Sequence, residues 1–201
     1  MSDELIYPPA TKTRAGTPRV TAVRGFVFMS GQRWMAERGL LERHEALLSP
    51  ALRARTKSYT ATDWIPLADA LALYAACDAL ELPLDDQIEL GRTVSRANNG
   101  IVIRTLANLA GKIGISPWVA LQSVDRLWAR NNRGGAVAVF KVSERVARLE
   151  FWHVPLSQSP FFVTSMRGAI AVGMEAFCAR ILIVDLPELL TRESFALRLV
   201  W

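Results

Sequence analysis

The chain has 201 residues, 51% of them hydrophobic, 21% charged and 8% aromatic, which excludes a disordered, collagen-like or low-complexity protein and suits one domain with a sizeable core. Its net charge of +5 is lopsided, because residues 1 to 60 hold 10 Lys and Arg against 5 Asp and Glu while residues 61 to 201 hold 14 of each. The main body is neutral, so nucleic-acid binding through the first 60 residues is not the favoured reading.

Residues 1 to 18 carry Pro8, Pro9, Gly16 and Pro18 and few large apolar groups. They read as a flexible arm, with a single α+β domain expected over 19 to 201. The acidic, Pro-interrupted start lacks the basic and apolar regions of a signal peptide, so a cytoplasmic protein is expected. No run approaches the ~18 to 20 apolar residues that span a bilayer.

Val20 to Phe28 is β-rich and predicts a first strand, with Gly25 permitting a bend. Trp34, Met35, Leu40, Leu41, Leu47 and Leu48 follow at helical spacings, and Gly39 divides them into two short helices. Ser49-Pro50 opens another helix. Thr62 or Asp63 with Pro66 predicts the start of a helix through Leu67, Leu71, Tyr74 and Asp78, which Pro83 ends. Asp85-Asp86 begins a helix to about Lys112, with a kink or break at Asn98-Asn99-Gly100 and a buried second half from Ile101 to Ala110. Ser116-Pro117 leads a helix through Trp118, Leu121, Val124 and Trp128, stopped by Gly134-Gly135.

Beyond that stop, Ala147, Leu149 and Phe151 alternate with Arg148, Glu150 and Trp152, which predicts a β-hairpin turning near Ser143-Glu144-Arg145. Ser159-Pro160 begins a long helix through Phe177. Ile181 to Leu186 reads as a buried strand and Phe195 to Trp201 as the last one. Helices and strands are segregated rather than alternating, so the expected fold is α+β, an antiparallel sheet of about four to five strands covered by a helical layer.

No catalytic constellation is visible. The chain lacks Gly-x-Gly-x-x-Gly, Gly-x-x-x-x-Gly-Lys-Ser/Thr and Gly-x-Ser-x-Gly, and its two histidines are His44 and His153. His44, within Glu42-Arg43-His44-Glu45, reads as part of a solvated face. His153 ends a strand, where it would serve either as a structural histidine or at a pocket mouth. Asp85 and Asp86 project about 100° apart on a helix and suit capping better than acid–base work. Cys77 and Cys178 read as small core residues, since two lone cysteines make neither a disulfide scaffold nor a zinc site. Neither an enzyme nor a metal or other cofactor is expected. The six tryptophans are the best remaining signal, because large aromatics fill cores, line ligand pockets or form dimer seams.

Val23-Arg24-Gly25, Trp64-Ile65-Pro66-Leu67, Glu89-Leu90-Gly91-Arg92, Ser116-Pro117, Leu127-Trp128, the Gly-led hairpin and the terminal Trp201 resemble, in order and spacing, a family of unknown function expanded as paralogues in myxobacteria. That family is similar to the 4-vinyl-reductase and transport-particle-like α/β domains, whose bacterial members are small-molecule sensors and often dimers. The resemblance implies such a fold and role. It brings no metal, since Ile181 to Trp201 lacks the cysteine cluster of the zinc-containing relatives. The tyrosine, serine and arginine haem signature of nitric-oxide sensors with a related architecture is not visible either. The combined expectation is a homodimeric, non-enzymatic sensing or regulatory module that holds an apolar or aromatic molecule between helices and sheet. Its candidate lining residues are Trp64, Trp118, Trp128 and His153. The alternative is a protein-interaction adaptor without a small ligand, whose exposed aromatics and basic first third meet an acidic protein partner.

Overall fold

The computed structural model of the chain describes residues 3–113, 116–175 and 177–201, with the backbone alone for 99–113. Its larger sheet has five antiparallel strands in the order β1 (Glu4–Tyr7), β5 (Ala136–Ser143), β6 (Val146–Trp152), β8 (Ser194–Val200) and β7 (Leu182–Asp185). A smaller antiparallel sheet joins β3 (Trp64–Pro66), β2 (Ala22–Arg24) and β4 (Asn132–Arg133). The helices are α1 (Gly25–Glu37), α2 (Leu41–Ala46), α3 (Pro50–Ser58), α4 (Leu67–Ala79), α5 (Leu84–Ile113), α6 (Pro117–Leu121), α7 (Val124–Asn131) and α8 (Pro160–Met174). This is the expected α+β class.

Alternation builds the core face of the sheet. Ala147, Leu149 and Phe151 of β6 and Leu197 and Leu199 of β8 are fully buried, while Arg148 and Glu150 point to the opposite face and pair with each other at 2.9 Å. Phe151 and Phe195 are directly opposed across β6 and β8, and their rings stack with centroids 4.2 Å apart. Trp128 meets the edge of that stack from α7 and Phe162 from α8. Tyr74 of α4 extends the aromatic contacts from Phe162 to Phe28 of α1. The chain of rings fixes the helical layer on the sheet through directional contacts as well as area.

Three caps follow the sequence: Ser49 Oγ accepts from Leu52 N, Ser116 Oγ from Trp118 N and Ser159 Oγ from Phe162 N. Asp78 adds a carboxylate at the start of α8, accepting from Phe161 N at 2.7 Å, where the helix dipole favours a negative charge. The hairpin turns where the alternation predicts.

Elsewhere local propensity yields to tertiary contact. Residues 4 to 7, in the stretch that composition assigns to an arm, form the edge strand β1. Asp125 ties the same segment to the domain, accepting from Ala10 N at 3.0 Å and from Val137 N at 2.9 Å. Phe26, Val27 and Phe28 are helical rather than extended, because α1 begins at Gly25. A Cβ there would lie 2.1 Å from the Thr60 carbonyl oxygen, an approach only glycine allows. Trp64-Ile65-Pro66 is strand, and α4 starts one residue after Pro66. The helix predicted from Ser116 breaks into α6 and α7 around Gln122-Ser123. β7 is an edge strand with Leu182 exposed, not a buried strand. α5 runs unbroken through Asn98-Asn99-Gly100, whereas the burial expected from Ile101 to Ala110 lies outside the described side chains.

Candidate functional site

The longest helix, α5, packs closely on α8 because small residues line the crossing. A Cβ on Gly91 would lie 1.9 Å from the Ser165 carbonyl oxygen, and one on Gly168 would lie 1.9 Å from the Ile88 carbonyl oxygen. Ser95 Oγ donates to the Ala169 carbonyl at 3.1 Å, so the helices touch backbone to backbone. At the rim Arg92 and Arg96 face Glu89 and Glu175 at 3.4 to 3.8 Å. These half-exposed pairs contribute little individually.

Beside this crossing lie two cavities. The first, of about 90 Å³, is bordered by α1, α2, α3, α4, α5 and α8, with Phe28, Met35, His44, Tyr59, Cys77 and Phe161 among its walls. The second, of about 150 Å³, lies between α5, α7, α8 and the sheet, against Val124, Trp128, Val137, Phe151, Ile170 and Met174. Val27, Tyr74, Val94, Met166 and Ala169 line both, so the cavities adjoin across these five side chains. Among the described residues, neither lining includes Asp, Glu, Lys or Arg.

Most polar groups on these walls already have partners. Ser165 Oγ donates to the Phe162 carbonyl at 2.8 Å and Asn132 Nδ2 to the Trp128 carbonyl at 3.2 Å. Tyr59 donates to Asp69 at 2.6 Å, whose carboxylate also takes a two-pronged contact from Arg55 at 2.7 and 2.8 Å. That guanidinium holds the Asp69 carboxyl below its ordinary range. The clamp fastens α3, and with it one wall of the first cavity, to α4. Burial pushes the Cys77 thiol up to about 12 and raises Tyr74, so both remain protonated and uncharged. Among the described residues, His44 Nδ1 and Asn131 Oδ1 are buried without a hydrogen-bond partner.

Of the four residues singled out from the sequence, Trp128 lines a cavity. Its Nε1 donates to the Gly134 carbonyl at 3.0 Å. Gly134, at φ +89°, passes so close to Arg19 that a Cβ would lie 2.3 Å from the Arg19 carbonyl oxygen. Trp118 instead packs edge-on against Trp201, with centroids 4.9 Å apart, beside an open groove that also contains Lys141, Arg145 and Arg180. Trp64 belongs to the small sheet, with the Arg24 and Arg133 guanidinium groups 4.2 and 4.6 Å from its ring centroid. His153 has φ +55° and bonds the Arg14 carbonyl through Nε2 at 3.0 Å. Neither Trp64 nor His153 is among the cavity walls.

The sequence reading also misplaces His44, which is 2% exposed rather than on a solvated face. Leu40, His44 and Leu48 recur every four residues, so His44 continues an apolar stripe. That spacing is the signal that outweighs its charged neighbours. The two cysteines are free, Cys77 buried and Cys178 partly exposed. Among the described residues no group of three or more His, Cys, Asp or Glu could hold a metal ion, and no helix is long and apolar enough to cross a membrane.

No family model and no curated protein matches the chain, so the family resemblance rests on the quoted motifs alone. Solved structures match in fold. An Fe(II) unliganded H-NOX protein from K. algicida has a TM-score of 0.64 at 11% identity, over 88% of this chain and 95% of that one. An H-NOX structure solved to probe haem distortion has a TM-score of 0.53 at 11% identity, over 89% and 94%. An oxygen-binding H-NOX domain related to soluble guanylate cyclases, in its oxygen complex, has a TM-score of 0.52 at 10% identity, over 88% and 94%. The chain thus shares the H-NOX type of fold along most of its length.

Proposed function

We propose that this protein is a small-molecule-sensing module whose ligand is a small, uncharged, apolar molecule held beside the α5–α8 crossing. The observation that carries this reading is the pair of adjoining cavities in the helical layer, with no charged residue among their described walls. An apolar cavity of about 150 Å³ accepts benzene or xenon, and the second cavity has that volume, with Ser95, Asn98, Asn131 and Asn132 as the polar part of its wall. The fold shared with H-NOX domains supports a sensing role. No group on the described walls offers an activated nucleophile or an acid–base pair, which favours a receptor over an enzyme.

Haem, which one of the H-NOX structures was solved to study, does not fit the described residues. Its iron takes His, a Cys thiolate, Met or Tyr as axial ligand. His153 lies off both cavities, Cys77 and Tyr74 keep their protons, Tyr59 donates to Asp69, and the wall methionines Met29, Met35, Met166 and Met174 would need a His as the second axial ligand. His44 commits Nε2 to the Leu73 carbonyl at 3.1 Å and faces a cavity of about 90 Å³. A porphyrin is several times larger than the benzene-sized guest such volumes accept. The described walls also supply no Lys or Arg to pair with its propionates.

Thermal denaturation with increasing benzene tests the reading. Saturable stabilisation is expected, about 2.7 kcal/mol at a hundredfold excess over Kd, and it should shrink in Gly173→Leu, which fills part of the second cavity. No stabilisation at any benzene concentration would refute the reading.

A second reading, an adaptor for an acidic protein, draws on the groove that the Trp118–Trp201 pair shares with Lys141, Arg145 and Arg180 against a single carboxylate, Glu144. Titration with a Glu- and Phe-containing peptide should then give binding that weakens with salt. Salt-insensitive binding, or none, would count against it. A homodimer would use the free edge of β7 with exposed Leu182, and sedimentation of native protein against Leu182→Lys tests that.

A further inference from the structure

Resting on the receptor reading above, we propose that the smaller cavity takes an uncharged molecule with one hydroxyl or N–H donor on a compact apolar body. The donor hydrogen-bonds to Nδ1 of His44.

The geometry fixes the chemistry of that nitrogen. His44 Nε2 lies 3.1 Å from the Leu73 carbonyl oxygen. A carbonyl only accepts, so Nε2 carries the hydrogen. Burial lowers the affinity of the ring for a second proton, leaving Nδ1 a lone-pair acceptor. Among the described residues this nitrogen has no hydrogen-bond partner, on a side chain that is 2% exposed and lines the cavity.

Three other polar groups on the wall are already engaged. Thr56 Oγ1 donates to the Arg53 carbonyl at 2.9 Å, Tyr59 donates to Asp69 and Ser165 donates to the Phe162 carbonyl. A buried acceptor without a donor is costly, and a guest that supplies the donor removes that cost. The rest of the described wall admits no ion, since it has no carboxylate, ammonium or guanidinium group to pair with one. Met35, Leu73, Cys77 and Phe161 provide the apolar surface against which the body of the guest packs.

The probes are phenol and benzene, which share a ring and differ in one donor. In the native full chain with ¹⁵N-labelled histidine, phenol should move the His44 Nδ1 resonance upfield saturably, as a lone pair does on accepting a hydrogen bond. Benzene should leave it in place. Phenol should bind at least as tightly as benzene despite its stronger hydration, and His44→Phe should weaken phenol about tenfold more than it weakens benzene.

If benzene binds but phenol neither binds comparably nor shifts Nδ1, a trapped water satisfies His44. The proposal is then overturned while the receptor reading stands. If neither compound binds, the receptor reading fails and this proposal falls with it. The ¹⁵N measurement on native protein decides the matter even if the variant does not fold.

Discussion

Gly91 of α5 lies directly under the Ser165 carbonyl of α8, where a Cβ would come within 1.9 Å of that oxygen. Gly168 meets the Ile88 carbonyl in the reciprocal way, so this helix pair is positioned by backbone contact. The obstructing atom is itself backbone and cannot rotate aside, unlike a flexible side chain. Gly91→Ala should therefore cost about 3 kcal/mol, read from urea denaturation. A loss below about 0.5 kcal/mol would show that α5 and α8 are not held this closely.

Gly173 is the contrasting case. It lies on α8 and lines the larger of the two cavities, yet a Cβ there would meet no atom within 4 Å. Gly173→Ala should stabilise the protein by about 1 kcal/mol through helix propensity and a less flexible unfolded chain. The same change should weaken benzene binding by taking up cavity space. A destabilised variant would mean the space is not there.

The buried His44 makes stability depend on pH with a definite sign. Its pKa is lowered from 6.5 by burial, so the unfolded chain binds a proton that the folded chain resists. Its contribution is fully present above 6.5 and is lost as the pH falls from 6.5 toward the lower folded value. Unfolding free energies measured between about pH 7.5 and about pH 5.5 should fall more steeply in the native protein than in His44→Asn. Parallel curves would contradict a buried neutral imidazole.

Tyr59, Arg55 and Asp69 form the clamp that holds α3 over the smaller cavity. Tyr59→Phe removes one hydrogen bond to a carboxylate and should cost about 1 to 2 kcal/mol. Asp69 has its pKa lowered from 3.8 by the Arg55 contact, so the contribution of the clamp is present above 3.8 and disappears as the pH falls through the depressed value. Hydrogen exchange in α3 is the local readout, and it should accelerate in Tyr59→Phe more than exchange in β6.

The architecture was largely legible because its signals are local. Ser49-Pro50 and Ser159-Pro160 state their helix starts in two residues, and the alternation from Ala147 to Trp152 states a strand and its buried face. What escaped depends on distant partners. Trp64-Ile65-Pro66 is a strand because β2 pairs with it, although its composition also suits a helix start. Residues 4 to 7 become a strand through β5, 132 or more positions away in the register. The site was less legible still. Tryptophan size pointed to Trp64, Trp118 and Trp128 alike, but only tertiary packing determines which one faces a cavity. His44 was hidden by charged neighbours that occupy other faces of a short helix. The roles of Gly91 and Gly168 arise only when two helices separated by a long stretch of chain come together.

In the reading proposed above, an apolar chamber beside the α5–α8 crossing is a receptor for a small uncharged guest. Its most direct test is a benzene titration followed by ¹³C methyl NMR of protein labelled at Met and Val. Met166, Val94 and Val27 line both cavities, so their methyl resonances should shift together, saturably and with one Kd, while that of Val142 on β5, which lines neither cavity, stays nearly still. Shifts that grow without saturation, or that are largest at Val142 rather than at these walls, would contradict the receptor reading.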